Sequence, residues 1–279
     1  MFEAGCAELE RLGYRVVVRD DIFDRDIYFG GSEARRITEF HEMWARDDVR
    51  AIICARGGYD CNYLLARLEL EMIRRNPKIF VGCSDITALL TYIHDQTGLA
   101  TFHGPMAAGD FARRLVDEVQ FRSVLSMGEP STLKVPRTDA LRGGTAEGTL
   151  YAGCLSILAA SLGTPYEVQL PQDTILFVED IGEPAYRLDR MLMQLKLAGK
   201  FRNVRGMIFG EMQGCTTPAG HELKAVLLRV IDDLNVPVAW GLRSGHVSQG
   251  PSLTLPIGVR AQLSVAEDVT LSFEGAVSQ

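Results

Sequence analysis

KIFVGCSDITALL, residues 78–90, decides the fold. An apolar run, Lys78–Gly82, has the composition of a strand and stops at a glycine. Ser84 follows after one residue, and residues 85–96 then carry a helical pattern. A strand that feeds a helix through so short a turn belongs to a parallel sheet with helical crossovers. The same alternation extends on the N-terminal side. Residues 1–12 predict a helix with Leu9 and Leu12 on one face, and Tyr14–Val18 a short β-branched strand. Ser32 caps a helix running to about Arg46, Val49–Cys54 is a strand, and residues 62–75 form an amphipathic helix. A doubly wound domain ordinarily opens on a strand, whereas this sequence opens inside a helix. The first strand of the N-terminal sheet is therefore expected to be missing.

On the C-terminal side, GEPSTLKVPRTDALRGGTAEG (128–148) is rich in Gly, Pro, Ser and Thr and reads as the connection between two domains. The expected division is a first domain at 1–135, a linker at 136–148 and a second domain at 149–279. The second half predicts a helix at 152–162, a strand at 174–178, a helix at 185–198 and a strand at 205–209. A helix at about 220–233 and strands near 237–240 and 268–273 complete it. The expected fold is two-domain α/β: an N-terminal Rossmann-like or flavodoxin-like parallel sheet, lacking its first strand, and a C-terminal mixed α/β domain.

Composition agrees with two packed cores. The chain has 279 residues, 47% of them hydrophobic and 23% charged, which excludes a disordered, collagenous or coiled-coil protein. With 29 Lys and Arg against 36 Asp and Glu, the net charge is −7, which argues against non-specific nucleic-acid binding. No run of about 18 apolar residues marks a membrane span. The opening MFEAGCAELERLG has no basic n-region and does not read as a signal peptide. Cys6, Cys54, Cys61, Cys83, Cys154 and Cys215 are scattered, with no C-x-x-C pair and no zinc spacing. A reduced, cytoplasmic setting is expected, with Cys54, Cys83 and Cys154 as small core residues.

Two turns could carry chemistry. A serine on the tight turn after Gly82 would expose its hydroxyl beside the first N–H groups of the following helix, the layout of a nucleophile elbow. The G-x-S-x-G pattern is not met, because Ile86 stands where its second glycine would be. The plainer reading, that Ser84 and Asp85 simply cap the helix, is open on these residues alone. CARGGYD (54–60) places two glycines after a parallel strand, where backbone can approach a ligand; a tight turn would need them equally. It is not a phosphate loop.

A serine nucleophile needs a base. His41 and His94 lie within predicted helices and His221 in a polar segment, while His103 follows a strand in FHGPM and could face a pocket. His246 lies in the glycine-rich RSGHVSQG, where it could reach another domain's site. Glu179, ending the apolar run ILFVE, is a carboxylate able to orient an imidazole, with Asp180 expected to point away; a helix-start carboxylate is the alternative. No H-E-x-x-H and no close His/Asp/Glu cluster suggests a metal. Trp44 and Trp240 lie in a helix and a strand, so neither is a platform for stacking a base.

Taken together, AIICARGGYD, KIFVGCSDITALL, FHGPM, LYAGCLSILAASLGTPYE, ILFVEDIGEPAYRLDRMLMQL, VRGMIFGEM, VPVAWGLRSGH and LPIGVRAQL occur in order. In this respect the chain resembles the LD-carboxypeptidases, serine peptidases of the S66 class, and their relatives that confer immunity to microcin C. The resemblance implies a Ser84–Glu179–His246 triad and an oxyanion hole from the backbone N–H groups of Gly58 and Asp85. It implies cytoplasmic hydrolysis of the L,D-amide bond to the terminal D-alanine of murein tetrapeptides, without metal or cofactor. A muropeptide substrate and a homodimer are the partners implied; nucleic acid and membrane are not. A hydrolase of acyl- or amide-linked nucleotide toxins and an inactive binding paralogue are the alternatives. Three positions depart from the family pattern. RGGYD carries Asp60 where the family has glycine, which puts a carboxylate near the mouth, and AGCL carries Ala152 and Cys154 in place of GGNL.

Overall fold

The computed structural model describes residues 1–126, 131–135 and 138–274. Two sheets organise the chain. The first is built from β1 (Ala51–Ile53), β2 (Ile79–Gly82) and β3 (Thr101–His103) in parallel. The second takes β4 (Ser131–Lys134), β5 (Asp139–Arg142), β6 (Gly144–Cys154), β7 (Thr174–Glu179), β8 (Val204–Gly210) and β9 (Val238–Leu242). Next in the chain, β10 (Leu255–Ile257) returns to the first sheet and pairs antiparallel with β3, Leu255 lying opposite His103. Then β11 (Arg260–Val265) and β12 (Val269–Phe273) complete the second sheet, whose order is β4-β12-β11-β6-β7-β8-β9-β5.

Its middle four strands, β6 to β9, are parallel, and the outer ones are antiparallel. Every residue of β7 is buried, as in a parallel strand covered on both faces. The helix Ala185–Leu197 lays Leu188, Leu192 and Leu195 into this core at helical spacing. The ends of both parallel sheets, where ligands bind in such folds, carry Ser84, His103 and Glu179.

The α/β alternation is as expected, and Ser32 caps the helix Glu33–Ala45 by accepting the N–H of Arg35. Several boundaries differ. Among the described residues Tyr14–Val18 forms no ladder and β1 is paired only with β2, Tyr14 and Val18 being exposed. Among the described residues no strand lies between the two, and β-branched composition without a backbone partner does not make a strand. The helix expected at 62–75 is two, Cys61–Leu65 and Leu70–Arg75, and the Glu69 N–H at the break donates to His41 Nε2. The helix expected at 152–162 begins only at Leu155, because Ala152, Gly153 and Cys154 pair with Phe177, Val178 and Glu179. That expected at 220–233 is Leu223–Val230 followed by a 3-10 turn. Of the stretch 128–148 read as the connection, 128–130 and 136–137 fall outside the described residues, as do 127 and 275–279 elsewhere in the chain. Most of the remainder is β5 and the start of β6. Among the described residues no helix is long and apolar enough to cross a membrane.

Candidate active site

The serine turn is strained in the way an elbow requires. Ser84 has φ +60°, the left-handed region that L-residues avoid, and it opens a 3-10 turn that runs into the helix Thr87–Thr97. Gly57 presses against it: a Cβ there would lie 2.7 Å from Ser84 Cβ and 3.5 Å from the Asp85 nitrogen. The Arg56-Gly57-Gly58 turn therefore reaches the serine only because residue 57 has no side chain. Asp85 does not cap its own helix. Its Oδ2 accepts the N–H groups of Asp60 and Cys61, both at 2.9 Å, and so fastens the two turns together. Asp60 is not a free carboxylate at the mouth, since it pairs with Arg36 of the helix Glu33–Ala45.

Glu179 and His246 are brought together from 67 residues apart. Nδ1 of His246 lies 2.8 Å from Glu179 Oε2, and the His246 backbone N–H donates to the same oxygen at 3.1 Å. The tight approach depends on Gly245, at φ +82°, where a Cβ would fall 2.7 Å from Glu179 Cδ. Burial pushes the Glu179 carboxyl up, but His103 and His246 beside it outweigh this and hold it down at about 2. Burial likewise disfavours the charged His246 imidazole, yet the Glu179 hydrogen bond and charge, with Asp180 and Asp110, raise it above its ordinary value. Asp180 does point elsewhere, accepting the N–H groups of Ser156 and Ile181.

The serine turn lies within the field of this pair. The thiol of Cys83, next to Ser84, is pushed well up by burial and by the Glu179 charge. Cys154 is opposite Glu179 in the β6–β7 register, and its thiol is pushed well up by burial, Glu179 and Asp180. Cys154, Glu179 and His246 offer donor atoms within 4.8 Å of one another, as do Asp60, Cys61 and Asp85. The first set is one that zinc accepts. Spacing along the chain could not reveal either, because sheet register and loops assemble them.

His103 enters the same cluster. It is fully buried, with Nδ1 2.9 Å from Ser244 Oγ and Nε2 3.6 Å from Glu179 Oε1. His41 and His94 are elsewhere in the fold: His41 accepts from Glu69, and His94 Nδ1 meets the Leu99 carbonyl. An aromatic cluster that the sequence reading did not identify flanks Gly58. Tyr59 is 6.1 Å from Tyr28, which packs on Phe29 at 4.4 Å, and Tyr28, Tyr59 and Tyr63 are all at least half exposed.

Residues 1–104 match the LD-carboxypeptidase N-terminal domain and residues 147–263 the LD-carboxypeptidase C-terminal domain. The chain belongs to the LD-carboxypeptidase family. It is 37% identical to the probable murein peptide carboxypeptidase of Bacillus subtilis, over 97% of this chain and 86% of that protein. A solved structure of the microcin C7 self-immunity protein MccF superposes with a TM-score of 0.91 at 28% identity, covering 99% of this chain and 91% of the other. The muramoyltetrapeptide carboxypeptidase of Oxalobacter formigenes does so with 0.86 at 29% identity, covering 98% and 94%. This LD-carboxypeptidase family member is accordingly a serine peptidase of that type.

Proposed function

We propose that the protein releases the terminal D-alanine of murein tetrapeptides by hydrolysing an L,D-amide bond, in cytoplasmic peptidoglycan recycling. Ser84 Oγ attacks the amide carbonyl while His246 takes its proton. Glu179 holds the imidazole by Nδ1 and stabilises the imidazolium that forms. The tetrahedral oxyanion is received by the N–H groups of Gly58 and Asp85, each such donor being worth about 3–4 kcal/mol in related chemistry. His246 then gives the proton to the departing amine. Water, deprotonated in turn by His246, releases the acyl group from Ser84. The observation that carries this reading is the 2.8 Å contact between Glu179 and His246, alongside a serine in left-handed backbone. The test is D-alanine release from an L-Ala-γ-D-Glu-meso-diaminopimelate-D-Ala peptide, with Ser84→Ala beside it. Release by the wild type alone supports the reading; equal release by both proteins overturns the nucleophile.

One observation favours a second reading, hydrolysis of an amide- or acyl-linked nucleotide. Trp44 offers no platform, being fully buried with its Nε1 donating to the Asn76 carbonyl. The exposed rings of Tyr28 and Tyr59 beside Gly58 do offer a stacking surface. Turnover of aspartyl sulfamoyl adenosine that falls in a Tyr28→Ala/Tyr59→Ala variant, with no D-alanine release from the tetrapeptide, would select this reading.

A further inference from the structure

Glu179 uses only one of its two oxygens on His246. The other, Oε1, is buried and has no hydrogen-bond partner among the described residues; neither has the buried Nε2 of His103, which faces it at 3.6 Å. Buried polar atoms without partners are costly, and two of them opposite each other are rarely accidental. A bare Nε2 would set a lone pair against a carboxylate, so Nε2 carries a proton; Nδ1 lies 2.9 Å from Ser244 Oγ, whose hydroxyl also has the His103 carbonyl as an acceptor at 3.3 Å. The imidazole has no room to turn away. The Phe177 ring is 5.4 Å off, and a Cβ on Gly245 would lie 2.7 Å from His103 Cε1.

The topology gives this contact its meaning. His103 ends β3 and lies opposite Gly82 at the end of β2, two residues before Ser84. Glu179, Ser244 and His246 belong to the second sheet and the loop after β9. His103 is thus rigidly tied to the serine turn and touches the carboxylate that orients the base.

We propose that His103 is a positioning residue for catalysis. From the first sheet it presents its Nε2–H to the unpartnered Glu179 Oε1, keeping that buried carboxylate ionised and aimed so that Oε2 holds His246 toward Ser84. The inference rests on the reading that Ser84, Glu179 and His246 act together. As positive charge grows on His246, a carboxylate with a second donor stays charged without water. The ionisable groups around Glu179 are His103 from β3, Cys154 from β6, Cys83 from the serine turn, Asp180 at the end of β7 and His246 itself. Asp110 acts on His246.

His103→Phe removes the donor, and His103→Gln keeps an amide N–H within reach of Oε1. D-alanine release and the rate at which a fluorophosphonate probe labels Ser84 are followed across pH. For His103→Phe, kcat and the labelling rate fall by about 10- to 100-fold, while KM stays within about twofold. The acid limb, which belongs to His246, moves to higher pH, because a carboxylate that has lost one donor holds the His246 imidazolium more strongly. His103→Gln recovers most of the rate and the wild-type limb. Wild-type rate and limb in folded His103→Phe overturn the proposal. So do Phe and Gln variants that are equally slow with an unmoved limb, since that describes packing alone. Should the Phe variant not fold, His103→Asn replaces it, its amide reaching Ser244 but not Glu179. Slow labelling by Asn beside fast labelling by Gln supports the proposal, and equal rates overturn it. A wild type that labels but releases no D-alanine removes the muropeptide reading, and the labelling rates still decide the role of His103.

Discussion

One oxygen of Asp85 accepts the backbone N–H groups of both Asp60 and Cys61 at 2.9 Å. It joins the turn after β2, which carries Ser84, to the turn after β1, which carries Gly58. The proposed oxyanion donors sit one on each turn, so their separation depends on this side chain. Asp85→Ala strands two N–H groups, that of Cys61 buried, and should cost about 1–3 kcal/mol, read by denaturant unfolding. Asp85→Asn keeps an acceptor oxygen and should lose less. D-alanine release should fall further in the Ala variant than its stability alone explains. Full activity in folded Asp85→Ala would show that the two turns hold their places without it.

The pH dependence follows from Glu179 and His246. His246, the proposed base, would act only when neutral, and Glu179 raises it above the ordinary imidazole value. Activity should therefore be lost as pH falls, with its half-point above about 6.5. Glu179, ionised down to about 2, contributes no limb of its own in that range. The raised imidazole also favours the fold at low pH, a contribution lost as pH rises through its folded value. Glu179→Gln removes the cause of the elevation. Its residual activity should have an acid limb shifted to lower pH, and kcat should drop by about 10³–10⁴. A limb that stays in place would assign it to another group.

How much of this was legible in the sequence depends on what each residue uses as its partner. Lys78–Gly82 and the helix beyond it obey local pattern, and Thr174–Glu179 is an unbroken apolar run, so both were readable. Tyr14–Val18 has strand composition, but a strand is made by its neighbour, and among the described residues none is paired with it. Ala152–Cys154 could belong to a helix or a strand, and the β7 register decides for the strand. In the candidate site, Ser84 is marked by its place between strand and helix, a place that a helix cap would fill equally. Gly245 and Gly57 fit a glycine-rich reading without revealing what they make room for. The side chain of Asp85, two residues from the N-terminus of its helix, looks like a cap and serves another segment instead. His103 is one histidine among five until β10 and the loop after β9 fold over it.

Gly245 is the tightest of these positions. A Cβ there would stand 2.7 Å from both Glu179 Cδ and His103 Cε1, and φ is +82°. Both neighbours are fully buried and have nowhere to go. Gly245→Ala should destabilise by about 1–3 kcal/mol through overpacking, with backbone strain added. The displaced atoms are those of the proposed triad, so Ser84 labelling by a fluorophosphonate should slow at temperatures where the variant is still fully folded. Labelling at the wild-type rate would mean that the Glu179–His246 pair tolerates displacement.

Ser84 itself offers a test in which stability and activity move in opposite directions. A left-handed L-residue costs about 1–2 kcal/mol, and Ser84 carries this at φ +60°. Ser84→Gly removes the strain but adds freedom to the unfolded chain, which costs about 0.4–1 kcal/mol. The relief is the larger of the two, so Ser84→Gly should be more stable than the wild type by up to about 1 kcal/mol while releasing no D-alanine. Ser84→Ala keeps the Cβ and the strain, so it should be as inactive without that gain. Calorimetric melting of the three proteins separates the cases. If Ala gains as much as Gly, the hydroxyl and not the backbone is the source of the strain, and the turn is not held in the left-handed region for the sake of the nucleophile.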